Sequence, residues 1–330
     1  MSLKTIKLND REIACQEDDS VLDALLRDNI DIPNNCRRGV CQSCMIRSLD
    51  NAPPAAASQK GLSDVLQHQN YFLACLCYPE QDMTISLNTP KDFFTETTVI
   101  DKKLLNSDIL LLTLECSKPL DYYAGQFVNL KRHDGLQRSY SIANNHLLNA
   151  DNLTFHIRKL KGGLFSEWAY QELAVGDTLD ISDPQGLCYY LPNQLDQNLM
   201  LIGTGSGLAP LLGIISEALH QGHRGDIHLF HGSREIEGLY LIEEMQQLTQ
   251  QYQNFNYTPC LSSDALANGF AKGRAHDVAM STIPSLKDWR IYLCGHPDMV
   301  HQAKRQAFLK GAAIQNIYAD AFHVGTASAK

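Results

Sequence analysis

The residues of this chain best able to do chemistry are four cysteines at a characteristic spacing. Cys36, Cys41 and Cys44 follow a C-x4-C-x2-C pattern, and Cys75 lies further along the chain. This is the spacing by which thiolates hold a plant-type 2Fe-2S cluster. Gly39, between the first two cysteines, lets the backbone come close to the inorganic sulfides. The pattern therefore predicts an iron-sulfur site with these four cysteines as ligands.

Other interpretations of the cysteines are open. They could be buried or disulfide-bonded, since cysteine often behaves as a small hydrophobe. Zinc sites usually use two close pairs, and only Cys41/Cys44 has that spacing. Cys77 is a second candidate for the fourth ligand, but we choose Cys75 and expect Cys77 on the same strand face. Arg37 and Arg38 add positive charge, and they could equally be solvated or meet an acidic partner.

Composition limits the classes of protein. The 330 residues suggest two or three domains, and 44% of them are hydrophobic. A net charge of -9 argues against nucleic acid as a partner. The N-terminal stretch is alternating and charged, so we expect a cytoplasmic protein with reduced thiols. We also expect no membrane span, because no apolar run is long enough, and a monomer.

A first domain is predicted over residues 1–90, around the cluster. Leu3–Leu8 alternates as a strand, and Ser20 caps a short helix that leads into the cysteine loop. Met83–Leu87 has the pattern of a last strand, and Asn88–Asp92 that of a linker.

Two further domains follow, with different patterns. Residues 94–193 contain many short strand patterns and one helix signal, Ser166–Leu173, which together favour an antiparallel barrel. The strand patterns are Thr97–Ile100, Ile109–Glu115, Gln126–Lys131, Leu153–Leu160 and Thr178–Ser182. Residues 194–330 alternate strands with helices, which predicts a parallel α/β sheet.

Three short motifs could bind nucleotides. Gly203–Pro210 follows an apolar strand and opens a helix, so its amides could approach a pyrophosphate, although it departs from the G-x-G-x-x-G fingerprint. In Arg138–Ala143, an arginine could neutralise a phosphate, while Tyr140 and Ser141 could meet a flavin ring. Lys161–Ser166 is a second candidate phosphate site. Each motif taken alone could be an ordinary turn or polar strand.

Taken together, the motifs RSYS, GGLFS, GTGSGLAP, CGHP and YADAF resemble the ferredoxin-NADP reductase superfamily. With the cysteine domain at the N-terminus, nearly the whole chain resembles the reductase components of bacterial multicomponent oxygenases. Similar chains also serve iron-sulfur deoxysugar dehydratases. The resemblance implies a β-grasp-like ferredoxin domain, an antiparallel β-barrel for FAD and a parallel α/β domain for NAD(P)H.

The resemblance also implies residue roles. Arg138 and Ser166 would contact the FAD pyrophosphate, and Tyr140 and Ser141 the isoalloxazine. Cys294 would lie near the nicotinamide carbon, although a buried cysteine at a strand end is an alternative. The implied catalytic residues are Cys294, Tyr140 and Ser141. The implied cofactor-binding residues are Arg138, Ser139, Tyr140, Ser141, His156, Ile157, Arg158, Gly163, Leu164, Phe165, Ser166, Gly203, Thr204, Gly205, Ser206, Gly207, Pro210, Ser233, Arg234, Cys294, Gly295, Pro297 and Phe322.

The resemblance leaves the role of Phe322 and the choice of nicotinamide nucleotide open. Phe322 resembles the terminal aromatic that covers the other flavin face, although here the sequence continues to Lys330. Ser233 and Arg234 follow the second strand of the nucleotide domain, where an arginine can meet the 2′-phosphate of NADPH. Related NADH enzymes also carry an arginine near this place, so NADH or NADPH remain open, with a preference for NADH.

The expected activity is electron transfer from NAD(P)H through FAD and the 2Fe-2S cluster to an oxygenase or another one-electron acceptor protein. Flavin can exchange both hydride and single electrons. The alternatives are a reductase for a deoxysugar dehydratase, a stand-alone flavin, quinone or ferric diaphorase, and an iron-sulfur sensor without catalysis. A diaphorase would not need the cysteine domain, and a sensor would not need the nucleotide motifs.

Overall fold

The computed structural model describes residues 4–30, 32, 34, 37–39, 44–50, 54–62, 64–87, 94–147, 152–192, 194–263 and 268–322. Cys36, Cys41, the linker Asn88–Asp92 and residues 323–330 lie outside these ranges. Met1–Asp92 forms one compact unit and Phe93–Lys330 a second.

The first unit is a small mixed sheet packed on one main helix. Its elements are β1 Lys4–Leu8, β2 Arg11–Cys15, α1 Val21–Arg27, β3 Met45–Ser48, α2 Asp64–His68, β4 Tyr71–Leu73 and β5 Met83–Ser86. The strand order is β2-β1-β5-β3-β4, with β1 and β5 parallel. Ser20 caps α1 as predicted, since its hydroxyl accepts from the Asp23 amide. The apolar face of α1 then joins the core of the unit.

The second unit begins with an antiparallel barrel. Its elements are β6 Phe94–Leu104, β7 Ile109–Cys116, β8 Phe127–Lys131, β9 Gln137–Ser141, β10 Asn152–Arg158, α3 Leu164–Gln171 and β11 Thr178–Ser182. The strand order is β10-β7-β6-β11-β8-β9. A bridge between Ile142, just after β9, and Phe155 in β10 joins the two edge strands. The edges are thereby closed, and the predicted barrel is confirmed.

A parallel α/β sheet completes the second unit. Its elements are β12 Leu199–Thr204, α4 Leu208–His220, β13 Ile227–Ser233, α5 Ile242–Gln251, β14 Phe255–Leu261, β15 Ala271–Lys272, α6 Ala275–Thr282, β16 Arg290–Gly295, α7 Pro297–Leu309 and β17 Ile317–Ala321. The strand order β15-β14-β13-β12-β16-β17 is parallel throughout. The chain moves outward from β12 in one direction and then returns to its other side at β16. Ligands of open α/β sheets bind at the carboxyl ends of the strands beside such a switch point.

The helix predicted at Ser166–Leu173 in fact begins at Leu164 and ends at Gln171. Ser166 therefore lies in the first turn of the helix, not at its cap. The sequence interpretation omitted β14, which contains Pro259, a residue that argues against an internal strand. It also omitted α6, α7 and β17. Among the described residues, no helix combines the length and apolarity needed to cross a bilayer.

Candidate functional site

Cys44 and Cys75 are brought together by a backbone hydrogen bond. Cys44 directly precedes β3, and Cys75 lies in a 3-10 turn, Ala74–Leu76. The Ala74 amide donates to the Cys44 carbonyl at 3.0 Å. Both cysteines are buried. The other two predicted ligands, Cys36 and Cys41, are outside the described residues.

Gly39 shows how closely the cysteine loop approaches this turn. Its φ is +76°, and a Cβ on it would lie 2.5 Å from Cδ1 of Leu76, the residue after Cys75. A side chain could not be placed there without displacing Leu76, and the positive φ also favours glycine. The described part of the cysteine loop and the turn at Cys75 therefore lie close enough together to bind a compact group, such as a 2Fe-2S cluster, between them.

Two residues beside the cysteine site also have partners of their own. Cys77 is buried, and burial raises the pKa of its thiol to about 11, with Ser58 as a polar neighbour. Arg37 forms an ion pair with Asp23 at 3.1 Å, with its side chain about half exposed. Part of its charge is therefore already balanced by a carboxylate.

The second unit contains a cleft of about 1470 Å³. Both the barrel and the parallel sheet contribute to its walls. A pocket for one small ligand measures about 300–1,000 Å³, so this cleft has room for two nucleotides. The predicted site residues that line it are Arg138, Ser139, Tyr140, Ser141, His156, Arg158, Gly163, Leu164, Phe165, Ser166, Thr204, Gly205, Ser206, Ser233, Arg234, Gly295 and Phe322.

Six predicted residues are not part of this lining: Ile157, Gly203, Gly207, Pro210, Cys294 and Pro297. Ile157 is fully buried in the barrel core, because alternate residues of β10 face opposite sides. Gly203, Gly207 and Pro210 are buried around the turn between β12 and α4. Pro297 occupies the first position of α7, where proline is favoured.

Strand β9 presents the predicted flavin residues along one wall. The Tyr140 ring lies 5.3 Å from the Phe165 ring, and burial raises the pKa of the Tyr140 hydroxyl, so it stays protonated. Ser139 donates to Asn129 at 2.7 Å. The Arg138 guanidinium is exposed and donates to the carbonyl of Gln137. An exposed guanidinium beside an aromatic ring suits the phosphates and the ring of a flavin nucleotide.

The Gly163–Ser166 segment forms a tight loop at the start of α3. The Ser166 hydroxyl accepts from the Leu160 amide at 3.1 Å. A Cβ on Gly163 would lie 2.4 Å from this hydroxyl oxygen. Ser166 thus shapes the loop, and the first-turn amides of α3 stand where a helix can bind an anion.

His156 couples the barrel to the glycine turn. Its Nδ1 lies 3.0 Å from the Tyr240 hydroxyl, which in turn donates to the Gly205 carbonyl at 3.4 Å. Burial, with His231 nearby, lowers the pKa of His156 to about 3, so the ring is neutral. Since the one phenolic proton goes to Gly205, we assign the ring proton to Nδ1. Nε2 is then an acceptor.

The glycine turn packs directly on the neighbouring strand. Gly205 has φ +55°, and Gly207 lies so close to β16 that a Cβ on it would meet the Cys294 carbonyl oxygen at 2.2 Å. The Arg158 guanidinium is 3.3 Å from the position a Cβ would take on Gly205. The turn therefore packs its backbone closely against β16 and has the guanidinium of Arg158, a barrel residue, beside it.

The thiol of Cys294 is fully buried at the end of β16. Its Sγ lies 3.6 Å from Sγ of Cys188, in the segment after β11. Burial and the Cys188 thiol raise the pKa of Cys294 well above its ordinary value. Gly295, the next residue, does line the cleft. Gly295 therefore borders the cleft, whereas Cys294 lies outside the lining with its thiol directed to Cys188.

Asp320 is a site residue that the sequence interpretation missed. It lines the cleft and accepts a hydrogen bond from the Ser141 hydroxyl at 3.2 Å. Burial raises the pKa of this carboxyl. The next residue but one, Phe322, donates its amide to the Gly295 carbonyl at 2.8 Å. The motif YADAF contains this aspartate, but nothing in the sequence assigned a role to its carboxylate.

An oxidoreductase that binds two nucleotides and an iron-sulfur cluster is the class of protein that this fold and these sites define. Known domain families agree in order along the chain. The 2Fe-2S iron-sulfur cluster binding domain matches residues 5–80, the oxidoreductase FAD-binding domain 96–190 and the oxidoreductase NAD-binding domain 201–305. The expected cofactors are thereby confirmed.

Individual relatives agree over nearly the whole chain. The chain is 33% identical to a phenol hydroxylase P5 protein of Acinetobacter pittii, over 88% of this chain and 86% of that one. It is 29% identical to the reductase component of a Pseudomonas putida naphthalene 1,2-dioxygenase system, over 97% and 98%. The crystal structure of the Amycolatopsis reductase GcoB is 27% identical, with a TM-score of 0.68 over 97% and 98%. The chain therefore belongs to the ferredoxin-NADP reductase superfamily, and it is an NAD(P)H-dependent iron-sulfur flavoprotein reductase.

Proposed function

We propose that this protein is the reductase component of an oxygenase system, delivering electrons from NAD(P)H to an oxygenase partner. The observation that carries the proposal is that one chain combines a cleft with room for two nucleotides and a separate buried cysteine site. A diaphorase reducing free flavin, quinone or ferric complexes would need the cleft alone. The cysteine unit is explained if the acceptor is a protein that takes single electrons.

Different residues of the cleft would bind different parts of the two nucleotides. When bound, FAD supplies the exchange between a hydride and single electrons. Tyr140 and Ser141 would hold the ring, with Arg138 and the first turn of α3 at its phosphates. The glycine turn would hold NAD(P)H, and the backbone at Cys294 and Gly295 would orient the nicotinamide. Asp320, hydrogen-bonded to Ser141, would fix that hydroxyl at the reactive edge.

The cysteine site would be the exit of the electron path. Cys36, Cys41, Cys44 and Cys75 would hold the 2Fe-2S cluster as the exit for single electrons. With every cofactor site on one chain, the electron path is complete in a monomer. Ser233 and the exposed Arg234 line the cleft where the adenosine ribose would lie, so NADH and NADPH both have a polar contact there.

The test compares Cys75→Ser with the matched control Cys77→Ser. Both residues are buried in the same short segment, but only the first is a proposed ligand. We expect C75S to lose cluster absorbance and electron delivery to an oxygenase component or cytochrome c, while NADH still reduces ferricyanide at the wild-type rate. C77S should retain both activities.

Two results would contradict the proposal. If C75S supplies the protein acceptor as fast as the wild type, the cluster is not the exit and the diaphorase interpretation is favoured. If iron analysis of the wild type finds zinc in place of iron, the cysteine site has been misassigned.

A further inference from the structure

Two buried thiols meet where the barrel contacts the parallel sheet. Cys188 belongs to the barrel segment after β11, and Cys294 ends β16 of the sheet. They are 106 positions apart in sequence, yet their Sγ atoms are 3.6 Å apart. Cys188 is 5% exposed and Cys294 not at all. No catalytic role assigned above uses Cys188.

We propose that Cys188 and Cys294 are a peroxide-sensitive pair that closes to a disulfide and reversibly switches off the reductase. A disulfide requires an S–S distance of about 2.05 Å, so the sulfurs must approach by roughly 1.5 Å. The sulfurs can approach only if the two side chains rotate or the backbone moves. The proposal rests on the proposed function only for the position of Cys294 beside the nicotinamide.

The chemistry balances with hydrogen peroxide as the oxidant. One thiol and peroxide give a sulfenic acid and water, and the second thiol displaces hydroxide from that sulfur, giving the disulfide and a second water. The two thiols are oxidised and peroxide is reduced.

Burial decides which oxidants can act. The protonated resting state of Cys294 makes the pair slower to react than an exposed thiolate. It also excludes bulky disulfides such as oxidised glutathione, which must contact the sulfur they attack. Once one sulfur is oxidised, the other thiol at 3.6 Å is in contact with it. Disulfide formation is therefore favoured over further oxidation to a sulfinic acid.

The disulfide would disturb the site through the backbone. The Cys294 carbonyl packs on Gly207 with no room for even a Cβ, so movement of β16 is transmitted to the glycine turn. A misplacement of about 1 Å at a reacting group can cost on the order of 100-fold in rate. The bond would also join the barrel covalently to the sheet.

The experiment uses the full-length protein with its cofactors. Protein is exposed to hydrogen peroxide or to oxidised glutathione, thiols are blocked with N-ethylmaleimide under denaturing conditions, and peptides are mapped by mass spectrometry. We expect peroxide, but not oxidised glutathione, to yield a peptide linking Cys188 to Cys294. NADH-ferricyanide activity should fall by about 10- to 100-fold and return after dithiothreitol treatment and gel filtration.

Cys188→Ala should keep the basal ferricyanide activity and lose the dithiothreitol-reversible inhibition. The matched control is Cys260→Ala, which removes an equally buried thiol of the same unit that faces the Thr258 carbonyl; it should behave as the wild type does. Loss of the iron-sulfur cluster would also inactivate electron delivery. It is monitored by visible absorbance, and dithiothreitol does not reverse it.

Three outcomes would overturn the switch: no linked peptide at peroxide doses that inactivate the enzyme, a linked peptide with undiminished activity, or C188A inhibited as reversibly as the wild type. Failure of the proposed function would show differently, in untreated C75S that supplies the protein acceptor as fast as the wild type does.

Discussion

Glu217 provides a measurable link between the barrel and the parallel sheet. It lies on α4, is 2% exposed, and accepts from the Ala124 amide of the barrel at 3.2 Å. Its other oxygen accepts from Gln221 at 2.9 Å. Burial raises the pKa of Glu217 from 4.5 to about 7, despite these hydrogen bonds. Glu217→Gln keeps the size of the side chain and removes the ionisable group.

The sign of the effect follows from the raised pKa. Below pH 4.5 the carboxyl is protonated in both the folded and the unfolded protein, so it adds no pH dependence. As pH rises from about 4.5 to about 7, the unfolded protein loses the proton first, and the free energy of unfolding falls. At about 1.4 kcal/mol per pH unit, the loss is about 3 kcal/mol. The free energy of unfolding of E217Q should therefore rise relative to that of the wild type across this window, by up to about 3 kcal/mol.

Tryptophan fluorescence in urea is the assay. The two tryptophans of the chain, Trp168 and Trp289, are both in the second unit, so the signal reports that unit. Measurements at a fixed FAD concentration between pH 5 and 8 keep ligand linkage constant. The control is E243Q, a substitution of the exposed residue Glu243 on α5. Its free energy of unfolding should change with pH as that of the wild type does. A stability difference between E217Q and the wild type that does not change with pH would refute the reasoning.

Three further predictions concern flavin reduction, the contact between His156 and Tyr240, and the exit of electrons to the protein acceptor. Cys294→Ala leaves a space at the end of β16, whose backbone packs on Gly207, and should slow flavin reduction in stopped flow by about 10- to 100-fold while FAD stays bound; an unchanged rate would show that this side chain does not help to position the nicotinamide. Tyr240→Phe leaves His156 without its hydroxyl partner and should lower the urea unfolding free energy by about 1–3 kcal/mol; an unchanged value would mean that this contact is not formed in solution. A fragment Phe93–Lys330 should retain FAD and ferricyanide reduction but not delivery to the protein acceptor; delivery at the full-length rate would place the exit in the fragment.

The sequence predicts this protein well where the signal is local. Ser20 and the apolar residues after it predicted α1, and the alternation of apolar residues predicted the barrel strands, because both depend on neighbouring positions. Helix α3 was placed two residues late, because Ser166 has the chemistry of a cap. In the structure its hydroxyl closes a loop onto Leu160, and Gly163 is the N-cap.

Contacts that depend on the tertiary fold could not be predicted in this way. Asp320 meets Ser141 across 179 positions, and Tyr240 meets His156 across 84. No periodic pattern pairs such residues. The same limit applies to Cys294, whose motif predicted its strand end but not that its thiol faces Cys188.

These long-range contacts also explain how two domains can maintain one reaction geometry. Interfaces between domains of one chain are usually polar and allow relative motion. Here Ser141–Asp320, His156–Tyr240 and Ala124–Glu217 each join a barrel residue to the parallel sheet domain through a hydrogen bond with a buried partner. Water competes poorly for such groups, and leaving one unpaired is costly, so sliding of the domains would break several bonds at once. Because a displacement of about 1 Å at the reacting atoms can cost on the order of 100-fold in rate, these polar contacts serve the chemistry as well as the stability of the interface.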